Sequence, residues 1–169
     1  MLLAALIGLA ACTSDSSAID PSAASSRIVE ELRLPASVEG CLEDRFEAAP
    51  QARRALDPAE APSDHELDAL SEVVSTCVPP EIFANSVSAQ MATGYRTVVD
   101  ISAQDEACLR DQIAALPDDD RGLFVTGPVS RLRTPESERS LAVSELLGRL
   151  LASCDIVVGT APPTDATPP

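Results

Sequence analysis

The chain contains no tryptophan, and only 2% of its residues are aromatic, namely three Phe and one Tyr. Because β-sandwiches depend on aromatic and β-branched side chains, this shortage argues against an all-β fold. The hydrophobic fraction is nevertheless 45%, which is typical of a globular chain. Over 169 residues, an alanine- and leucine-rich composition of this kind predicts an all-α fold with one or at most two small domains.

Basic residues are also scarce. Lysine is absent, and twelve Arg oppose 27 acidic residues, which gives a formal net charge of −15. An acidic surface repels phosphate backbones and gains nothing from an anionic lipid surface. We therefore expect that nucleic acid is not a partner of this protein.

The usual sequence signatures of metal and redox sites are missing as well. Cys41, Cys77, Cys108 and Cys154 form no C-x-x-C pair, and the single histidine, His65, precedes Cys77 by twelve residues. This spacing disfavours both a zinc site and a dithiol redox centre, so we expect no metal and no cofactor. Four cysteines of this kind are typical of two disulfides in an oxidising compartment.

The N-terminal residues predict an export signal. Residues 2–11 form an uncharged apolar run, whose ten helical residues would span about 15 Å, half of a bilayer core. The run is too short to cross a membrane but has the length of a signal-peptide core. It ends in Leu9-Ala10-Ala11-Cys12, which resembles the lipobox of bacterial lipoproteins. The resemblance implies cleavage before Cys12, a diacylglycerol on its thiol, and anchoring at the outer face of the cell membrane.

The alternative is a cytosolic protein whose apolar N-terminus packs into the core. If the chain is exported, the Ser-rich residues 12–26 are expected to form a flexible tether, and residues 27–158 the helical domain. The Pro/Thr-rich residues 159–169 predict a disordered tail.

Two segments of the chain share one pattern. Residues 40–50 and 107–117 both run from a small residue through Cys, Leu, a charged residue and Asp to a closing Pro. Each segment precedes a second apolar-periodic run that ends in another cysteine. The pattern predicts an internal duplication, with copy one over about residues 27–79 and copy two over 80–158.

Capping signals and periodicity predict the helices. Residues 35–49 form the first long helix, and Ser63 with Glu66 forms a capping box for the next. Residues 81–93 predict a helix that ends with Gly94 at C′, and Ser102 caps the one after it.

The remainder of copy two is predicted as a connection followed by one helix. Residues 117–122 are expected to form a turn and residues 123–133 an irregular loop. Thr134 is expected to cap the last helix, with Pro135 at its first position. The predicted apolar face of this helix comprises Leu141, Val143, Leu146, Leu147, Leu150, Leu151 and Cys154.

Antiparallel packing decides the disulfide connectivity. In each copy one cysteine lies early in the first helix and the other at the end of the second, so a hairpin brings them together. Both pairs lie on apolar faces, where helix axes approach to about 8–10 Å. We therefore predict Cys41–Cys77 and Cys108–Cys154 over the other two connectivities, and two stapled hairpins packed as one bundle.

No catalytic residues are predicted. His65 falls at the second position of a helix, where it is expected to be a surface residue. The three aspartates Asp118–Asp120 lack the spacing of a calcium loop and are expected to form a solvated turn. Asp44 and Asp111 occupy matching positions in the two copies. Paired carboxylates can serve acid–base chemistry, but these two are expected to meet Arg residues or solvent.

The whole chain resembles lipobox-bearing, Cys-paired helical lipoproteins of actinobacterial type. The resemblance rests on Leu9 to Cys12, the two Cys-Leu-x-Asp helices and the absence of lysine, and it implies no activity. We expect a non-enzymatic envelope module that binds an unidentified protein or serves assembly. The alternatives are an enzyme or enzyme regulator and a carrier of an apolar ligand, whose pocket would be lined by Phe46, Ile113, Leu147 and Leu150.

Overall fold

The structure, a computed structural model, describes residues 19–95, 101–133 and 137–157. These ranges contain eight α-helices, one 3₁₀ turn and no strand, so the predicted all-α class is confirmed. Cys12, the N-terminal apolar run and the predicted tail lie outside the described residues. The elements are α1 (Pro21–Glu31), the 3₁₀ turn (Ala36–Val38), α2 (Glu39–Ala48), α3 (Pro50–Arg54), α4 (Asp64–Cys77), α5 (Pro80–Tyr95), α6 (Ala103–Ala114), α7 (Asp118–Arg133) and α8 (Glu138–Ser153).

Hydroxyl and carboxylate caps fix where several helices begin. The Ser63 and Ser102 side chains accept hydrogen bonds from the amides of Glu66 and Asp105, whose carboxylates in turn accept from the cap amides. Both predicted caps are therefore confirmed. The predicted Thr134 cap of the last helix is wrong, because the Ser137 hydroxyl accepts from the Ser140 amide at 3.2 Å and α8 begins after it.

Helix α1 begins earlier than the sequence indicates. The Asp20 carboxylate caps it, accepting from the Ser22 amide at 3.0 Å, and Pro21 occupies its first position. Ala24 and Ser25 are fully buried, so they belong to the fold. Residues 21–26, predicted as part of the flexible tether, are therefore helical, because a cap and two buried small side chains outweigh the Ser-rich composition.

The helices pack in a matching order in the two halves of the chain. In the first half α1 packs on α2, α3 on α4 and α2 on α4; in the second α5 packs on α6, α7 on α8 and α6 on α8. Helices α4 and α7 pack on each other and join the halves. The internal duplication stays a prediction. One continuous core results, whose largest fully buried side chains include Ile28, Leu42, Phe46, Leu56, Leu70, Leu109, Ile113 and Leu146.

Both predicted disulfides are present. The Cα atoms of Cys41 and Cys77 lie 5.6 Å apart, and those of Cys108 and Cys154 lie 5.8 Å apart. Each bridge ties the second helix of its half to the end of the fourth. Two details differ from the prediction. The bridged helices are not consecutive, because α3 or α7 lies between them. Cys41 is exposed rather than buried on an apolar face.

The predicted turn and irregular loop over residues 117–133 are wrong, because Asp118–Arg133 forms the single helix α7. Three aspartates in its first turn favour a helix start through the helix dipole. Gly122 and Gly127, which lie in the predicted turn and loop, instead allow neighbouring helices to approach closely. A Cβ at Gly127 would lie 2.7 Å from Cγ2 of Val143 in α8, and one at Gly122 would meet the Ser71 side chain in α4.

Two smaller predictions also fail. Gly94 lies inside α5 and has no positive φ, so it is not a C′ residue. Leu141, predicted on the apolar face of the last helix, is 58% exposed, whereas Val143, Leu146, Leu150 and Leu151 are buried as predicted. None of the helices in the described ranges is long and apolar enough to cross a membrane.

An acidic cleft as candidate functional site

A cleft of about 1050 Å³ opens between one face of α4, from Asp64 to Ser75, and the N-terminal parts of α7 and α8. Among the described residues, seven carboxylates and one arginine line it, together with Pro62, Leu67, Ser71, Ser75, Leu123, Ser137 and Ala142. The cleft spans the contact between the two halves of the chain, because α4 belongs to the first and α7 and α8 to the second.

Helix geometry places the carboxylates on one surface. Asp64, Asp68 and Glu72 are spaced by four residues, so they share one face of α4. Asp118–Asp120 form the first turn of α7, and Glu138 is the first residue of α8. Acidic side chains in first turns are stabilised by the positive end of the helix dipole, so helix formation and the charge of the cleft favour the same residues.

Arg139 is the one arginine among the described residues that line the cleft. Nη2 of Arg139 lies 2.7 Å from Oδ1 of Asp68 and 3.9 Å from Oδ1 of Asp64, and its side chain is only 20% exposed. Nη1 of the same residue donates to Oγ1 of Thr126 at 3.3 Å. Arg139 therefore connects α8 to both α4 and α7.

The buried Thr126 helps to position Arg139 by accepting its hydrogen bond. Its hydroxyl donates to the Gly122 carbonyl at 2.9 Å, which leaves the oxygen lone pairs for Arg139. Two further arginines contact carboxylates of the cleft. Arg121 contacts Asp118, and Nη2 of Arg149 lies 3.9 Å from Oδ2 of Asp120. Asp119, Glu72 and Glu138 have no ion pair within the described part of the chain.

The resolved pKa shifts belong to helix caps rather than to the cleft. The Ser63 amide donates to Glu66 and, with the nearby Arg54 guanidinium, holds the pKa of that carboxyl below its ordinary value against a smaller effect of burial. Hydrogen bonds from the Ser102 hydroxyl and amide lower the pKa of Asp105 in the same way. Both carboxylates are thus charged helix caps, not proton donors at neutral pH.

The sequence-predicted candidates are scattered. His65 is exposed at the second position of α4, as predicted for a surface residue. Asp44 and Asp111 are both exposed, on α2 and α6, and Asp111 lies beside Arg110 at 3.8 Å. The expected solvated turn at Asp118–Asp120 is instead a helix start at the cleft. Among the described residues no group of three or more His, Cys, Asp or Glu side chains could hold a metal ion.

The apolar pocket required by the carrier alternative is not this cleft. Phe46, Ile113 and Leu150 are buried in the hydrophobic core, and Leu147 packs against it. None of the four lines the cleft.

Sequence reasoning missed the cleft. The four-residue spacing of Asp64, Asp68 and Glu72 was a usable signal for an acidic helix face. Its pairing with α7 could not be predicted, because α7 itself was not.

Comparison with known proteins finds no matching family model, curated protein or solved structure. The resemblance to envelope lipoproteins therefore rests on the sequence features alone.

Proposed function

We propose that this chain is a non-enzymatic binding module of the cell envelope. It is anchored through a lipid on Cys12 at the outer face of the cell membrane. Its acidic cleft holds a cationic segment of a partner protein.

The proposed location is supported by two independent features. The apolar run before Leu9-Ala10-Ala11-Cys12 has the form of a lipoprotein export signal. The two disulfides are of the kind that persists in oxidising compartments outside the cytosol. With α1 starting at Pro21, the tether shortens to the residues between Cys12 and Asp20, which reach at most about 30 Å when extended.

The cleft and its internal arginine carry the binding proposal. Asp68 already binds one guanidinium, that of Arg139, in a half-closed site at 2.7 Å. The carboxylates of Glu72, Asp119 and Glu138 line the same cleft and have no ion pair in the described part of the chain. A second guanidinium or ammonium group can therefore bind by the same chemistry.

The size of the cleft favours a peptide over a small cation. Sites for small molecules occupy about 300–1,000 Å³, so 1050 Å³ is enough for several side chains. A net charge of −15 also steers a basic partner toward the module, an effect that salt screens.

A charge-matched pair of variants tests the proposal. The cleft variant combines Glu72→Gln, Asp119→Asn and Glu138→Gln. The control combines Glu43→Gln, Asp44→Asn and Glu47→Gln on the exposed face of α2. All six side chains are exposed, and each variant moves the net charge by three, from −15 to −12.

The probe is a short labelled peptide of alternating Arg and Gly, titrated by fluorescence anisotropy at low and at physiological salt. Three exposed charge contacts of about 0.5 kcal/mol each amount to roughly a tenfold loss of affinity in the cleft variant. The control should bind within about threefold of the wild type, because it keeps the cleft. Equal losses in both variants would show that only net charge matters and would refute binding in the cleft.

A further inference from the structure

The two disulfides differ in how far their cysteine residues are exposed to solvent. Cys41 is exposed, whereas its partner Cys77 is 7% exposed. In the other bridge Cys154 is 9% exposed and Cys108 is partly buried. Cys41 is thus the most accessible half-cystine of the four.

The backbone next to Cys41 leaves space for an attacking thiolate. Cys41 is the third residue of α2, and a Cβ at the preceding Gly40 would meet nothing within 4 Å. Leu42, the next residue, is fully buried and keeps the helix seated on the core. An incoming thiolate can therefore approach the first turn of α2 without unfolding the helix.

We propose that the Cys41–Cys77 bridge is a thiol-exchange site, attacked at the Cys41 sulfur by an extracytoplasmic dithiol, while the Cys108–Cys154 bridge is the inert one. Exchange rates depend on which sulfur is accessible to the attacking thiolate. The proposal does not depend on the cleft, because it rests on the exposure of the cysteines alone.

The reaction balances with a dithiol as the reductant. Its thiolate attacks Sγ of Cys41, a mixed disulfide forms, and Cys77 leaves as a thiolate that takes a proton. The second thiol of the reductant then attacks its own sulfur in the mixed disulfide and releases the Cys41 thiol. Two electrons pass to the bridge, and the reductant ends as a disulfide.

The acidic residues near Cys41 favour some attacking thiols over others. Glu39, Glu43 and Asp44 surround Cys41 in sequence, so an anionic small thiol is repelled more than a neutral one. Because Cys77 is the last residue of α4, exchange there frees the end of the helix that carries Asp64, Asp68 and Glu72.

The test is partial reduction of the oxidised, full-length protein with neutral dithiothreitol, with quenching by iodoacetamide at successive times. Trypsin cleaves this lysine-free chain only at arginine and places the four cysteines in four separate peptides, residues 34–45, 55–96, 97–110 and 150–169. Alkylation of Cys41 and Cys77 is expected at least about tenfold faster than that of Cys108 and Cys154.

Low concentrations of urea separate direct attack from attack on an unfolded chain. Direct attack proceeds at a rate that low urea leaves unchanged, whereas attack through unfolding accelerates with urea. Equal rates at the two bridges, faster opening of Cys108–Cys154, or a urea-dependent rate at Cys41–Cys77 would each overturn the proposal.

Single substitutions identify the attacked sulfur. Cys77→Ser leaves the Cys41 thiol and Cys41→Ser leaves the Cys77 thiol, and each is mixed with dithiodipyridine, a neutral chromogenic disulfide. The Cys41 thiol should react at least about tenfold faster. Similar rates would contradict attack at Cys41. If either variant fails to fold, the wild-type reduction above still decides which of the two bridges opens first.

Discussion

Gly127 tests whether α7 packs as closely as the structure indicates. Replacing a helix-interior glycine by alanine gains about 1 kcal/mol of helix propensity. Here the added Cβ would lie 2.7 Å from Cγ2 and 3.3 Å from Cγ1 of Val143, whose χ1 is fixed in a helix. Overpacking of this kind costs about 1–3 kcal/mol, so Gly127→Ala should leave the protein no more stable or destabilise it by up to about 2 kcal/mol.

Gly148 in α8 provides the matched control. A Cβ there would meet nothing within 4 Å, so Gly148→Ala should stabilise the protein by the full propensity gain of about 1 kcal/mol. The free energy of unfolding of each variant is measured by urea denaturation monitored by circular dichroism. A difference of about 1–3 kcal/mol between the two substitutions is expected.

Gly122 adds a test by rescue. A Cβ at Gly122 would meet the hydroxyl of Ser71 and lie 3.1 Å from its Cβ. Gly122→Ala should therefore destabilise the wild type, and less so in a Ser71→Ala background, where the hydroxyl is gone. If Gly122→Ala and Gly127→Ala both stabilise as much as Gly148→Ala, then α7 does not contact α4 and α8 as described. The cleft between these three helices would then not exist in this form.

Two further predictions concern helix ends. Arg33 follows α1 with a positive φ of 50°, and its amide donates to the Glu30 carbonyl. Because glycine adopts this conformation without strain, Arg33→Gly should stabilise the protein by about 1 kcal/mol, as measured by urea denaturation. A loss of stability would contradict this backbone geometry. Ser63→Ala removes one side of the α4 capping box and should cost about 1 kcal/mol at neutral pH. Because the folded pKa of Glu66 is lowered, its contribution is present above its unfolded pKa and is lost as pH falls through the folded value. The stability difference between wild type and Glu66→Gln should therefore shrink in acid, and a difference that grows in acid would refute the role given to this carboxylate.

Local signals predicted much of the fold. The caps at Ser63 and Ser102 are chemical features of a few neighbouring residues, so the sequence alone was sufficient to place them. The cysteine connectivity was predicted correctly from a hairpin of two helices, although in the structure α3 or α7 lies between the two bridged helices. Helix α7 could not be predicted because its glycines are explained by Val143 and Ser71, which lie on other helices.

The cleft could not be predicted from the sequence for the same reason. Its carboxylates belong to three helices that are distant in sequence, and Arg139 meets Asp68 across 71 positions of the chain. Only the acidic face of α4 could be recognised in the sequence, from the four-residue spacing of Asp64, Asp68 and Glu72. A surface that depends on three-dimensional packing cannot be read from one helix.

The central claim is that a disulfide-tied helical module is held by a lipid at the outer face of the cell membrane. Intact mass spectrometry of the protein purified from its native membrane tests it most directly. The account predicts a chain that begins at Cys12, carries diacylglycerol on that residue, and has four hydrogens fewer than the reduced form because of its two bridges. A chain that retains Met1, carries no lipid and has five free thiols, Cys12 included, would contradict both the location and the fold.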